Sequence, residues 1–196
     1  MSGAQLATSE GSPSTHRGFS LLELLVALFV IVLITSVVTL NIGPGDRDIL
    51  LEAKLRNLME VAAYGLDEAQ ILGLDYGLLL QQDNEQGIPV YAYAWRERGP
   101  EGWRLPRTGK EVFASQRFPE DVELSLELED VPEVEIGPVE NDVETAPQVV
   151  LYASGETTAG AIDVRHAGSG ELLWRVEWDL LGRFKLLRGG EEEAPL

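Results

Sequence analysis

RGFSLLELLVALFVIVLITSVVTL, Arg17 to Leu40, decides the fold. From Phe19 to Leu40 it runs for 22 residues with a single charged side chain, Glu23. At about 1.5 Å per residue a helix of that length spans roughly 30 Å, the thickness of the hydrocarbon core of a bilayer. A transmembrane helix is expected over 19–40. Glu23 is the feature a plain anchor does not explain. A carboxylate in lipid costs a few kcal/mol or more, so intramembrane acids have a partner or a task. It lies one helical turn from Phe19, close enough to the end to snorkel. If the chain is cut just before Phe19, the new amine of one subunit becomes available to the Glu23 of a neighbour.

Upstream, residues 1–18 (MSGAQLATSEGSPSTHRG) are small, polar and without periodicity, and read as a leader. Downstream, the apolar run ends in TLNIGPGD, which lacks the small-residue site of a secretory signal. Arg17 precedes the span, while Arg47 beyond it is flanked by Asp46 and Asp48. That asymmetry favours a cytoplasmic N-terminus.

Two features of composition exclude whole classes of function. The 196-residue chain holds 33 acidic against 15 basic residues, a net charge of -18. Nucleic acid is not an expected partner, because binding rests on Lys and Arg displacing phosphate counterions. There is no cysteine, so disulfides, thiolate metal sites and cysteine nucleophiles are absent together.

Asn41, Gly43, Pro44 and Gly45 predict a kink. Helical spacing then resumes, with Leu51, Leu55, Leu58, Ala62, Leu66, Ala69 and Leu72 on one face. Residues 41–76 are therefore read as the kink and an amphipathic second half of the helix, its stripe packed on a sheet. Residues 77–196 form a β-rich domain. Strands are expected at Gly77–Gln82, Val90–Trp95, Val122–Leu128, Val149–Ala153, Ala161–Arg165, Leu172–Trp178 and Arg183–Leu187. In VELSLELE, Val122, Leu124, Leu126 and Leu128 share one buried face, and RVEWDLLGRFKLL reads as a hairpin turning near Asp179 to Gly182. The fold class is α+β: one long helix on antiparallel sheet. The stretch from Glu129 to Gln148 has three prolines and seven acids without a base, and reads as a solvated loop. A calcium site or a partner-facing surface is the alternative, although the regular spacing of a calcium loop is missing.

Gly18, Phe19, Ser20, Leu21, Leu22 and Glu23, followed by about twenty apolar residues, resemble the class III signal of type IV pilins and type II secretion pseudopilins. The resemblance implies that a prepilin peptidase cleaves between Gly18 and Phe19 and methylates the new N-terminal Phe19. It also implies that Glu23 acts in assembly. A second stretch is similar to the H-type minor pseudopilins, the GspH/FimT group: Tyr152, Ser154, Gly155, Glu156 and Thr157 lead into a strand, and Gly182 with Arg183 precede the last one. At Ala159 and Gly160 the chain departs from the proline or bulkier residue frequent there. This resemblance implies a β-sandwich of two sheets against the helix, in place of a single sheet. It further implies an inner-membrane, single-pass protein with a periplasmic domain, whose partners are the other minor and major pseudopilins.

Nothing argues for catalysis. His16 leaves with the leader, and His166, in RHAGSGE, reads as part of a hairpin turn. Asp163 and Glu171 near it match no standard metal spacing, and Ser154 is not in a nucleophile elbow. No cofactor or metal is expected. The alternative function is a minor type IV pilin of the FimT kind in pilus assembly or DNA uptake. It would use Arg183, Lys185 and Arg188, although the tail after them carries three glutamates.

Overall fold

The computed structural model describes residues 21–40, 44–107, 111–129, 131–138 and 145–191. The chain divides into two compact units, Met1–Gly45 and Asp46–Leu196.

In the first unit, α1 is Leu21–Leu40. Its side chains are described from Leu21 to Val32, and all twelve are exposed. A helix apolar on every side finds its stability in lipid or among other helices. Among the described residues no helix is long and apolar enough to cross a membrane. The backbone of α1 is nevertheless 20 residues long, about 30 Å.

The second unit is built on α2, Pro44–Leu72. Residues 41–43, where the kink was expected, lie outside the described residues. α1 ends at Leu40 and α2 opens on Pro44 and Gly45: proline in a first turn lacks only an N–H that has no intrahelical acceptor anyway, whereas it cannot sit inside a continuing helix without cost. The helix ends when Gly73 turns left-handed (φ 64°), and the Leu74 N–H donates to the Ala69 carbonyl. This is a Schellman cap. The stripe from Leu51 to Ala69 is buried as expected, whereas Leu72, at the end, is 46% exposed.

Two five-stranded antiparallel sheets share one core with α2. The expected single sheet is thus replaced by the two that the family resemblance implied. In the first, β1 (Tyr76–Glu85) lies between β2 (Ile88–Gly99) and β7 (Val149–Leu151), and β2 also pairs with β3 (Gly102–Arg104) and β4 (Gln116–Arg117). The second runs β10 (Phe184–Arg188), β9 (Leu172–Trp178), β8 (Gly160–His166), β5 (Val122–Leu128) and β6 (Val131–Val134). Tyr93 and Trp95 of β2 meet edge to face at 6.3 Å between ring centroids. Trp95 also meets Phe113 at 5.9 Å, from a 3-10 turn at Glu111–Phe113. Burial pushes the Tyr93 phenol up to about 12.

The acidic run departs from the loop reading. Val131–Val134 forms β6, paired to β5 through Leu126↔Val134 and Leu128↔Val131. Val134 and Ile136 are half-buried against the core. Alternating apolar and acidic residues suit an edge with one face on the core and one in water. The segment then crosses to the first sheet, where the Gly137 carbonyl accepts the Gln82 N–H at 3.2 Å. Further on, the Gln148 carboxamide acts as a peptide group: its Oε1 accepts from the Leu80 N–H at 2.8 Å and its Nε2 donates to the Leu80 carbonyl at 2.9 Å. Backbone groups of β1 beyond the short β7 are satisfied in this way. Residues 130 and 139–144 lie outside the described residues.

Candidate assembly surfaces

Glu23 sits in the first turn of α1 and is exposed. A helix N-terminus favours negative charge, since its peptide dipoles sum to a partial positive charge there. Gly18 and Phe19 lie outside the described residues.

The two family motifs, 25 residues apart in sequence, meet in the fold. Tyr152 to Gly155 make a turn in which the Gly155 N–H donates to the Tyr152 carbonyl at 2.9 Å, with Gly155 at φ 90°. The Tyr152 N–H donates in turn to the Glu156 carbonyl at 2.8 Å. Thr157 is buried, and its N–H donates to the Leu180 carbonyl at 2.9 Å, which joins this turn to the β9–β10 hairpin. There Asp179 organises the connection. Its Oδ1 accepts the N–H groups of Leu181 and Arg183, both at 3.0 Å, and its Oδ2 accepts from Arg183 Nε at 2.6 Å. Hydrogen bonds from the Arg183 side chain and backbone hold the Asp179 carboxyl below the usual range. Gly182 is left-handed at φ 67°, and a Cβ there would lie 2.5 Å from Leu66 Cδ2 of α2. The residues Tyr152–Thr157, Gly182 and Arg183 therefore seat a corner of the sandwich on α2. Ser154 is an exposed turn residue. The turn expected near Asp179 to Gly182 is found there, an Asp three residues before a Gly being a type I turn signal; the Asp179–Arg183 pairing within it was not foreseen.

Gly160 has a steric reason. A Cβ there would come within 2.3 Å of the Glu127 carbonyl on β5, so glycine lets the two strands approach. Asp163 is not part of a metal site with His166. Its Oδ1 accepts from Arg175 at 2.7 Å and its Oδ2 from Arg165 at 2.8 Å, while Arg175 also reaches Glu127 at 3.0 Å. His166 Nδ1 accepts the N–H groups of Gly168 and Ser169, both at 3.2 Å, closing the β8–β9 turn.

Two buried charges on β2 were missed, Arg96 and Glu97. Glu97, 2% exposed, accepts from the side chain of Arg104 at 2.8 Å and from the Arg107 Nε and N–H at 3.0 Å. Burial pushes its carboxyl up, but the Arg107 N–H and the two guanidinium groups outweigh this and hold it below the ordinary 4.5. The expected strand stopped at Trp95; β2 in fact continues to Gly99, and every residue from Val90 to Glu97 is buried.

An apolar helix with a carboxylate in its first turn, in one chain with a helix on two antiparallel sheets, is the arrangement of a pilin-like fold. The model of the prokaryotic N-terminal methylation motif matches residues 13–39. Within that class the chain resembles the H-type minor pseudopilins. It is 27% identical over 198 residues to type II secretion system protein H of Aeromonas hydrophila, covering 91% of this chain and 98% of that protein. The protein of the same name from Escherichia coli K12 is 27% identical over 166 residues, 81% of this chain and 86% of that one. The crystal structure of the minor pseudopilin EpsH from the type II secretion system of Vibrio cholerae matches with a TM-score of 0.57 and 21% identity, over 73% of this chain and 96% of that one. A second EpsH structure gives a TM-score of 0.58 at 20% identity, over 73% and 99%. These two likenesses bear on the fold, which is the one the family resemblance implied.

Proposed function

We propose that this chain is a minor pseudopilin of a type II secretion pseudopilus, made as an inner-membrane precursor and working by protein contacts rather than catalysis. It helps to assemble the pilus tip, in support of the export of folded proteins across the outer membrane. The observation that carries this reading is the union in one chain of the methylation-motif N-terminus, residues 13–39, with the EpsH-like fold.

In this reading 1–18 is the cleaved leader and 19–40 the transmembrane helix. The prepilin peptidase cuts between Gly18 and Phe19 and methylates Phe19. Residues 41–196 stand in the periplasm. Glu23 pairs with the N-terminal amine of a neighbour, so the carboxylate is uncompensated in an isolated subunit and relieved in the filament. Other minor and major pseudopilins are the partners.

Replacing Glu23 with leucine tests the reading in the native host. Removing a charge from an apolar helix leaves membrane insertion intact or improved. Incorporation into the filament and secretion are expected to fall. Normal secretion by that variant would sink the assigned role of Glu23.

A further inference from the structure

The apolar stripe of α2 ends at Ala69, yet two more apolar residues follow it into solvent, Ile71 at 77% exposure and Leu72 at 46%. The turn 152–155, which packs on this end of α2, carries Tyr152, the one exposed tyrosine among the described residues. Its turn is fixed to this end of α2 at two points. A Cβ on Gly155 would lie 3.1 Å from the Gln70 carboxamide, and the Ala153 N–H donates to Asp75 Oδ1 at 3.0 Å. An exposed aromatic on a turn fixed to the helix end that carries exposed aliphatics has the composition of an interface centre.

The charge around it is of one sign. Asp67 lies four residues before Ile71, on the same face of the helix, and Glu156 is exposed in the turn that carries Tyr152. The last turn of α2 has no basic residue, and no Lys or Arg occurs between Arg56 and Arg96. Acids near a helix C-terminus oppose the dipole, which favours cations there. The neighbouring cations are engaged: Arg98 lies over the Trp103 ring, 5.2 Å from its centroid, and Arg183 is on Asp179.

We infer that Ile71, Leu72 and Tyr152, rimmed by Asp67 and Glu156, form a docking surface for a different protein subunit that presents an apolar side chain flanked by lysine or arginine. The inference rests on the assembly reading above and names the kind of partner. A second copy fits poorly. The chain carries -18 overall, and the arginines nearest in sequence or contact to its exposed Ile49, Leu50, Leu105, Leu180 and Leu181 are already paired with its own acids: Arg47 with Asp121, Arg188 with Asp48, Arg104 and Arg107 with Glu97, and Arg183 with Asp179. An anionic lipid surface is repelled by the same acids.

The test places a photoreactive benzophenone amino acid at position 71 of the full chain in its native host, with a control at the exposed Ile88. The expected adduct from position 71 maps to a Lys- or Arg-flanked apolar site on another protein. The charge-reversed pair Asp67→Lys and Glu156→Lys is expected to weaken it about tenfold, because like charges at a rim oppose docking. The unfolding midpoint and the background at position 88 stay unchanged. An adduct with a second copy, one indifferent to charge reversal, or none at position 71 overturns the proposal. Sheared filaments of the unsubstituted chain read the assembly claim separately. A chain present in filaments without the adduct overturns the docking surface alone, and absence from filaments overturns both.

Discussion

Gly182→Ala probes whether the hairpin corner is seated on α2 as described. The backbone there is left-handed at φ 67°, and a new methyl would lie 2.5 Å from Leu66 Cδ2. The left-handed conformation costs an L-residue roughly 1–2 kcal/mol. Forcing a methyl into a packed contact adds about 1–3 kcal/mol, toward the low end here because the tip of a leucine can turn aside. Gly73→Ala separates the two contributions. Gly73 has nearly the same backbone, φ 64°, but nothing within 4 Å of its Cβ position, so it reports the conformational part alone. Urea unfolding of the domain is expected to show Gly182→Ala less stable than Gly73→Ala by about 1 kcal/mol or more, or roughly 2–4 °C in Tm for a domain of this size. Trimming the clashing side chain supplies a further check. Leu66→Ala on its own costs about 2–5 kcal/mol, but added to Gly182→Ala it costs less, because the cavity it leaves accepts the methyl. Equal stability of the two glycine variants would refute the contact between Gly182 and Leu66.

Gln148→Ala removes both partners of the Leu80 peptide group, and is expected to cost about 2 kcal/mol and to speed hydrogen exchange at the Leu80 amide. Exchange there at the wild-type rate would mean that β1 needs no surrogate ladder. Glu97 gives a pH signature. Its folded carboxyl is held below 4.5, so its stabilisation is fully present above that value and is lost as pH falls through the folded pKa. Glu97→Gln is expected to be less stable than wild type at pH 7, with the difference shrinking under strong acid; a gap that persists would assign the effect to packing instead of charge.

Periodicity carried most of the reading from sequence. The stripe from Leu51 to Ala69, the alternation of VELSLELE and the β9–β10 hairpin are local patterns repeated often enough to be read without tertiary knowledge. Failures came where the partner is distant. β6 became a strand because β5 offers it a ladder; the short alternation in 131–136 is by itself outweighed by the prolines and acids around it. β2 continues past Trp95 because Arg104 and Arg107, from the returning chain, neutralise Glu97. Pro44 marks an interruption that the sequence suggests, but its place as the first residue of α2 is not legible there, because a proline in a first turn and one inside a helix are the same letter. At the motif corner the glycines were recognised through family likeness. Their physical reason, the approach of Leu66 and Gln70 from α2, belongs to the packed structure.

The account turns on what stands at the head of α1 in the finished protein. Mass spectrometry of the N-terminus, on chain isolated from the membranes of cells that contain the prepilin peptidase, tests it most directly. The predicted product begins at Phe19 and carries one added methyl on its amine. A membrane pool that retains Met1, or begins at any residue other than Phe19, would contradict the account.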